Sequence, residues 1–314
     1  MKRLVPLVLI IALFILPMSI SAGVPSDPLE DVSFMGKVTD SFGNPLQNVV
    51  ITASTTINKE RQTFETITDA TGTYLYYYLP THSVGVPCSY TLTASLEGYC
   101  AVFKNNLTIP QYEIDISLNN SSYFPVESPV IFISAGQSGG VYYTNFICDT
   151  VGIKYDWADA PEANHLESGV GLESYDPKRD LYIQYIKGSD VPDGTQYNTI
   201  VLIMGTFILG IPTTPFNFSM ELLRVKRVVA WAKENDIAII GMHVEGIELR
   251  GKPGSDNELI IDSIAPLCDM LITIASSNFD DKFTRIAAEN NIPLSVAPNA
   301  RALTNIFEKV FIQN

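Results

Sequence analysis

One apolar run that leads directly into a glycine-rich turn constrains this fold more than any other feature of the chain. Residues Val130–Ile133 are all apolar, and Ser134–Gly140, which follow, are small or polar. Such a run predicts a strand in a parallel sheet that is covered on both faces. The turn predicts a helix start, where backbone N–H groups are free to bind an anion or another polar ligand.

The alternation of apolar strands and amphipathic helices continues to the end of the chain. Ile200–Met204 is a second apolar run, and Leu303, Phe307 and Val310 recur at helical spacing. We therefore predict a three-layer α/β domain over residues 130–314, Rossmann-like or flavodoxin-like, with a mainly parallel sheet of about five strands. The predicted strands are 130–135, 153–157, 198–204, 237–242 and 269–275, with 292–296 as an optional further strand, and the predicted helices are 139–151, 219–235, 256–267, 280–290 and 299–311.

Residues 158–196 match neither a strand nor a helix pattern. Prolines and glycines recur through them, including Pro161, Gly169, Pro177 and Gly188. These residues disfavour regular structure. We expect a long excursion over the surface of the α/β domain.

Residues 33–118 alternate threonine, valine, isoleucine and tyrosine with polar residues. Turn signals recur at Gly43–Pro45, Asp69–Gly72 and Glu97–Gly98. Short strands at this spacing predict an all-β sandwich. Residues 119–129, which are small and polar and contain two prolines, are interpreted as the linker between the two domains.

The order of strands and turns in the sandwich resembles the carboxypeptidase regulatory-like domain. The residues that carry the resemblance are Gly36–Asp40, Gly43–Val50, Thr68–Tyr74 and Tyr90–Tyr99. The resemblance implies a seven-stranded Greek-key sandwich that acts as a spacer or scaffold. The run Tyr74–Tyr78 suggests a carbohydrate platform, but we favour a strand with aromatic residues on both faces.

The N-terminus has the parts of a secretory signal peptide over residues 1–22. Lys2–Arg3 precede the apolar run Leu4–Ile20, and small residues follow at Ser21 and Ala22. An uncleaved membrane anchor is the alternative, and this segment would then be the chain's contact with the membrane. Either interpretation predicts an extracytoplasmic protein, whether secreted, periplasmic or at the cell surface.

The charge and the cysteines limit the partners and cofactors that we expect. A formal net charge of -14 without a basic tract argues against nucleic acid and anionic membrane surfaces as partners. None of the four cysteines has metal-ligand spacing, so no metal site is expected and the cofactor is unknown. Cys88 and Cys100 are candidates for a disulfide in an oxidising compartment, whereas Cys148 and Cys268 suit buried positions in helices.

Polar residues follow four predicted strands, and ligands of doubly wound sheets bind outside the carboxyl ends of the strands. We call these residues the polar rim: Ser134–Ser138, Gly205–Thr206, His243–Glu245 and Ser276–Asn278. Since parallel strands end at the same edge of a sheet, we expect a ligand site there. The candidate ligand-binding residues are Ser134, Gln137, Ser138, Thr206, His243, Glu245, Arg250 and Asn278.

Two members of the polar rim also have a structural interpretation. Ser138 suits a cap of the first helix, and His243 suits a histidine held by hydrogen bonds at the sheet edge. His243 and Glu245 are two residues apart on an extended segment, so the alternative is that they share a proton or bind a metal. We favour the structural interpretation for His243.

Three residues near the polar rim have plain structural explanations. Ser255 and Glu258 form an S-x-x-E capping box before an apolar helix, and Asp280 suits a helix N-cap. Arg250 suits either a solvated loop or the binding of a carboxylate or phosphate.

The α/β half resembles a family of prokaryotic extracytoplasmic domains of unknown function. The matching residues, in order, are Ser134–Ser138, Leu223–Lys226, Ile240–His243 with Gly246 and Arg250–Gly251, and Phe283–Ala287 before Ile292–Leu294. The resemblance implies a Rossmann-like fold and an extracytoplasmic setting, without a reaction or a ligand. The chain departs from the usual pattern in residues 158–196 and at Asp280–Asp281.

We carry three functional hypotheses forward. The first is an exported protein whose α/β domain binds a small polar or anionic ligand at the polar rim, with the sandwich as spacer or scaffold. The second is a hydrolase that uses His243 as its base, although no G-x-S-x-G, Walker or H-E-x-x-H motif is present. The third is a cell-surface interaction protein with a cell-surface or envelope partner. The absence of motifs favours binding over catalysis.

Overall fold

The computed structural model describes residues 32–109, 113–172, 184–206 and 217–311. The predicted signal peptide, residues 1–22, therefore lies outside the described residues. Within the described ranges, no helix combines the length and the hydropathy needed to cross a membrane.

The N-terminal domain is formed by two packed sheets and a small hairpin. One sheet has the order β4-β1-β9 and the other the order β3-β2-β7-β8. The strands are β1 (Val32–Asp40), β2 (Val50–Ile57), β3 (Glu60–Ile67), β4 (Thr73–Tyr77), β5 (His82–Ser83), β6 (Val86–Pro87), β7 (Ser89–Ser95), β8 (Val102–Thr108) and β9 (Ile116–Leu118). Strands β5 and β6 pair only with each other.

The two sheets enclose one apolar core, to which alternate residues of each strand contribute. Phe34 comes from one sheet and Tyr90 from the other, and their rings meet edge to face at 5.4 Å. Tyr74 is buried and donates its hydroxyl to a backbone carbonyl, whereas Tyr77 and Tyr78 are exposed. The 74–78 segment therefore carries aromatic side chains on both faces.

The C-terminal domain has a seven-stranded sheet in the order β12-β11-β10-β13-β14-β15-β16. Its strands are β10 (Val130–Ala135), β11 (Asp156–Ala158), β12 (Tyr185–Ile186), β13 (Thr199–Met204), β14 (Ala238–His243), β15 (Met270–Ile274) and β16 (Leu294–Ala297). All neighbouring strands are parallel except β12, which is antiparallel to β11. The predicted mainly parallel sheet is confirmed, but the count of about five is wrong because residues 292–296 do provide a strand and the 158–196 segment adds β12.

Helices cover both faces of this sheet. They are α1 (Gly140–Val151), α2 (Ala163–Leu166), α3 (Phe218–Glu234), α4 (Asp256–Ile264), α5 (Lys282–Asn290) and α6 (Leu303–Val310). Helices α1 and α6 pack on one face, and α3, α4 and α5 pack on the other. Helix α4 ends before the predicted residue 267 because Pro266 lacks an N–H group, and a 3-10 turn over Ala265–Leu267 replaces the last turn.

The strand order reverses at β10. Strand β11 lies on one side of β10, whereas β13 and all later strands lie on the other side. The chain leaves β10 toward α1 on one face, and α3 follows β13 on the opposite face. A crevice at the carboxyl ends of β10 and β13 is where a flavodoxin-like sheet binds its ligand.

The linker and the sandwich together cover the outer edge of β16. The Ser122 N–H donates to the Leu294 carbonyl at 2.8 Å, and the Ala101 N–H donates to the Val296 carbonyl at 2.9 Å. These bonds satisfy backbone groups that an edge strand would otherwise expose. The two domains are therefore joined by a hydrogen-bonded contact as well as by the chain.

The structure does not bring Cys88 and Cys100 together. All four cysteines are free thiols, and the seven residues of β7 separate these two. A strand of that length spans roughly 20 Å, whereas the Cα atoms of a disulfide lie about 4.4–6.8 Å apart. Cys88 packs in the sandwich core, and Cys100 lies against β16, with its Sγ 3.4 Å from the Leu294 carbonyl oxygen.

Candidate functional site

The loop after β10 has an unusual backbone, which positions Gln137. Gly136 has φ +95°, and a Cβ there would lie 2.3 Å from the carbonyl oxygen of Gly205, so only glycine fits. Gln137 has φ +66°, a conformation that is costly for a residue with a side chain. Its side chain is 7% exposed, and its Nε2 atom has no hydrogen-bond partner among the described residues.

A buried ion pair fixes the start of this loop. The Gly136 N–H donates to Glu221 Oε1 at 2.9 Å, and Arg224 donates to both carboxylate oxygens at 2.6 and 2.7 Å. Arg224 also donates to the carbonyl oxygens of Ser134 and Pro161. Because Glu221 and Arg224 are 0% and 1% exposed, this pair is a fixed part of the structure.

The start of α1 is occupied by a carboxylate of the chain itself. Ser138 donates its hydroxyl to Glu245 Oε2 at 2.8 Å and accepts the Gly140 N–H at 3.1 Å. Burial raises the pKa of Glu245, while hydrogen bonds from Ser138 and from the amides of Gly140 and Gly139 lower it. The Gly140 N–H, one of the backbone donors that could recognise an anion at this helix, therefore already has an acceptor within the chain.

The loop after β13 also passes beside Ser138 and Glu245. A Cβ at Gly205 would lie 2.6 Å from Glu245 Oε2 and 3.0 Å from Ser138 Oγ, so the backbone passes directly beside this pair. The Thr206 N–H donates to the side-chain carbonyl of Asn257 at the start of α4. Ser138 and Glu245 thus meet beside Gly205, with Gln137 and Thr206 next to them in the chain, and we call Gln137, Ser138, Thr206 and Glu245 the switch-point site.

Ser134 lies deeper, within β10 itself. Its side chain is fully buried, and its Oγ atom has no hydrogen-bond partner among the described residues. It therefore supports the floor of the switch-point site and is not in contact with solvent.

Sequence reasoning did not identify Asp159, the residue after β11. Burial raises the pKa of its carboxyl to about 6, with Arg224 opposing and Glu221 adding to the shift. Its side chain is partly exposed, and it lies in the field of the buried ion pair. Its position at the carboxyl end of a strand could have indicated Asp159 as a candidate site residue. However, Asp159 lies in the 158–196 segment, which matched neither a strand nor a helix pattern.

His243 does not join the switch-point site. It is fully buried on the opposite face of the sheet, where its Nδ1 atom lies 2.9 Å from Ser277 Oγ and its ring packs 5.9 Å from that of Phe283. Ser138 and Glu245 lie on the α1 face, beside Ile203. The alternative in which Glu245 orients His243 as a base is therefore wrong in geometry: residues two apart share a face only within an extended strand, and β14 ends at His243, before Glu245.

Arg250 holds carboxylates of the chain itself. It donates to Glu258 at 2.7 and 3.2 Å and to Asp280 at 3.0 and 3.0 Å, and it is 1% exposed. The interpretation as a solvated loop arginine is wrong. Arg250 is also unavailable to a ligand, because its donors are used.

Two helix caps near Arg250 differ from the prediction. Ser255 makes no side-chain cap hydrogen bond, because Glu258 turns to Arg250 and Lys282, so the predicted capping box is not formed. Asn278 Oδ1 accepts the N–H groups of Phe283 and Thr284 at the start of α5. Asn278 is therefore a helix cap, and its role as a ligand-binding residue has no support from its contacts.

The pKa of His243 predicts an acid-sensitive fold. Burial and the positive charge of Arg250 lower this pKa from 6.5 to about 4, although the nearby Leu249 carbonyl opposes the shift. Between these two values the unfolded chain binds more protons than the folded one, so stability falls as the pH falls through this window. We expect the wild type to lose about 2–3 kcal/mol more than His243→Gln between about pH 7.5 and about pH 4.5, as measured by urea unfolding. His82→Gln, at an exposed histidine, is the control and should behave as wild type; equal losses in the wild type and in His243→Gln would contradict the prediction.

The geometry defines a flavodoxin-like α/β domain with a polar site at its topological switch point. Within the described ranges, no group of three or more His, Cys, Asp or Glu side chains is arranged to hold a metal ion. Residues 127–311 match the model of a family described as a domain of unknown function, DUF6305. Because this match spans more than half of the chain, the protein belongs to that family. No curated protein matches the chain.

Several solved structures are similar to parts of the chain. A family two carbohydrate esterase from Clostridium thermocellum aligns at 11% identity over 83% of this chain and 88% of that one, with a TM-score of 0.28. A B repeat unit of the collagen-binding surface protein of Staphylococcus aureus aligns at 16% identity over 33% of this chain and 55% of that one, with a TM-score of 0.21. A streptococcal ancillary pilin aligns at 13% identity over 32% of this chain and 37% of that one, with a TM-score of 0.23.

The chain spans less than two thirds of the length of the repeat unit and of the pilin. TM-scores of 0.21 to 0.28 support no inference about fold or function. The carboxypeptidase regulatory-like assignment of the sandwich stays a prediction.

Proposed function

We propose that the α/β domain binds a small, uncharged polar molecule at the switch-point site. The observation that carries the proposal is Gln137, which is held at φ +66° with a buried amide nitrogen that has no partner among the described residues. A buried donor without a partner is costly, and so is this backbone conformation. A ligand that accepts a hydrogen bond from Gln137 would satisfy the donor.

The charges around the site favour an uncharged ligand over an anion. Glu221 and Arg224 neutralise each other, and Glu245 lies at the start of α1, where it accepts from Ser138. An anion at that helix start would lie beside a carboxylate of the chain. Hydroxyl or amide groups can instead accept from Gln137 and donate to Glu245, which suits a polyol or a small amide.

Replacing Gln137 with glycine tests this role without weakening the fold. Glycine adopts a positive φ readily, so we expect the free energy of unfolding to stay unchanged or to rise by about 1 kcal/mol. In a thermal-shift screen of polyols, monosaccharides and small amides, we expect at least one compound to raise the Tm of the wild type by roughly 2 °C or more. The same compound should leave the Tm of Gln137→Gly unchanged.

Two controls accompany this screen. Gln47→Ala, at an exposed glutamine of the sandwich, should respond to ligand as wild type does. Phosphate and sulfate form the anionic comparison set and should produce the smaller shifts. The proposal is wrong if no uncharged compound stabilises the wild type, or if Gln137→Gly responds equally.

Export of the protein and a spacer role for the sandwich belong to the same proposal. The N-terminal sequence pattern supports export, and the hydrogen bonds along β16 support a sandwich that holds the α/β domain in a fixed position. The hydrolase alternative has no support from the contacts of its base, since His243 is fully buried and the hydroxyl that it contacts among the described residues, that of Ser277, is buried as well.

A further inference from the structure

A groove of about 560 Å³ lies at the β12 edge of the sheet, beside the C-terminal half of α1. Asn145, Asp149, Lys154, Tyr155, Trp157 and Ile186 line it. None of the four residues of the switch-point site is among its lining residues, so it is a separate feature of the domain.

Two buried polar atoms of this groove have no hydrogen-bond partner among the described residues. One is the indole nitrogen of Trp157, a side chain that is 5% exposed, and the other is Oδ1 of Asn145. The indole nitrogen can only donate, and Oδ1 can only accept. A hydroxyl group does both, so a polyhydroxylated ligand fits this pair of unsatisfied atoms.

An exposed aromatic ring lies near Trp157. The ring of Tyr142 lies 6.5 Å from that of Trp157 and is 70% exposed. Tyr143 and Phe146, also on α1, are 56% and 72% exposed. Such rings offer flat apolar surfaces on which the C–H faces of a sugar ring can stack.

The charged groups at the groove carry opposite signs. Asp149 accepts from the Tyr155 hydroxyl at 3.3 Å, and Lys154 lies 3.7 Å from Asp190 in an exposed pair. Asp149 and Lys154 are the charged groups among the lining residues and offset each other, while Asp190 adds one negative charge beside them, so the groove does not attract an anion. This balance favours a neutral ligand.

We propose that this groove is a binding site for a neutral carbohydrate, with Trp157 and Tyr142 as the stacking platform and Asn145 as the hydrogen-bond acceptor. Tyr142 covers the indole in the unliganded protein. Exposed side chains change rotamer within nanoseconds, so Tyr142 can open the site to a sugar ring. This proposal concerns a second site and does not depend on ligand binding at the switch-point site.

The two tryptophans of the chain make the test direct. Trp231 lies on α3 in the core of the opposite layer, so Trp231→Phe leaves Trp157 as the sole tryptophan reporter. In that background, maltotetraose, mannotetraose and chitotetraose are titrated separately to about 10 mM while Trp157 emission is recorded. We expect a saturable change in emission with at least one of the three.

Variants locate the binding and keep the test decisive. Asn145→Ala and Tyr142→Ala should each weaken the affinity roughly tenfold, and the exposed position of Tyr142 keeps the second variant folded. Asn305→Ala, at an exposed asparagine of α6, and Gln137→Gly should bind as the Trp231→Phe parent does. No saturable change with any of the three sugars, or unchanged affinity in both Asn145→Ala and Tyr142→Ala, overturns the proposal. A response to the apolar dye anilinonaphthalene sulfonate alone also overturns it and indicates an apolar docking surface.

Discussion

Replacing Arg224 with methionine is expected to lower the free energy of unfolding by about 3–5 kcal/mol. Arg224 is 1% exposed and donates to Glu221 and to the carbonyl oxygens of Ser134 and Pro161. Without it, the fully buried carboxyl group of Glu221 retains only the Gly136 N–H as a donor among the contacts described above. An uncompensated buried charge is among the largest single defects that a substitution can create.

Urea unfolding followed by circular dichroism measures this loss, and Arg227→Met is the matched control. Arg227 is exposed on the same helix, and its replacement should change stability by less than about 0.5 kcal/mol. Adding Glu221→Gln to Arg224→Met removes the buried charge while keeping an acceptor for the Gly136 N–H, so we expect the double variant to recover about 1–2 kcal/mol. A loss below about 1 kcal/mol in Arg224→Met would contradict the assignment of this ion pair.

Replacing Arg250 with methionine is expected to cost a similar amount, about 3–5 kcal/mol. Its guanidinium bonds to two carboxylates, those of Glu258 and Asp280, and lies 5.5 Å from the centre of the Phe283 ring. Burial alone would raise the pKa of Glu258, but hydrogen bonds from Arg250 and Lys282 hold it below its ordinary value. Loss of the arginine leaves two acidic groups side by side with Lys282 as the remaining cation of this cluster.

Arg250→Lys should recover little of this stability, because one ammonium group cannot make paired hydrogen bonds to two carboxylates. Arg301→Met, at an exposed arginine, serves as the control and should unfold as the wild type does. Full recovery in Arg250→Lys would mean that the charge alone matters, and it would contradict the bidentate geometry.

The elements of the α/β domain were predictable because their burial is regular. Val130–Ala135 is buried at every position, and the predicted strand matches it residue for residue. The strand predicted over 153–157 is observed at Asp156–Ala158, and in the described part of residues 158–196 the two-residue β12 and the four-residue α2 are too short to display a period. The order of the strands in the sheet could not be predicted either, because periodicity shows which side chains are buried but not which strands are neighbours.

The contacts of the candidate residues were only partly predictable. Ser138 and Glu245 do meet beside Gly205, at the carboxyl ends of β10, β13 and β14, whereas ligand binding by the candidate residues stays a prediction. His243 and Arg250 were both candidate ligand-binding residues with a structural alternative, because a polar residue after a strand can serve the interior as well as a ligand. Only the hydrogen-bond partners reveal which of these two roles a residue has. Ser277 lies 34 residues from His243 and 27 from Arg250, and Glu258 and Asp280 lie 8 and 30 residues from Arg250.

The central claim is that the switch-point site binds an uncharged polar ligand, and backbone amide chemical shifts test it most directly. The compound that gives the largest thermal shift among the polyols, monosaccharides and small amides is titrated into ¹⁵N-labelled protein. We expect shift changes at Gly136–Ser138, Gly205–Thr206 and Val244–Gly246, and their loss in Gln137→Gly. The absence of shift changes at these segments, or changes there that survive in Gln137→Gly, would contradict binding at the switch-point site.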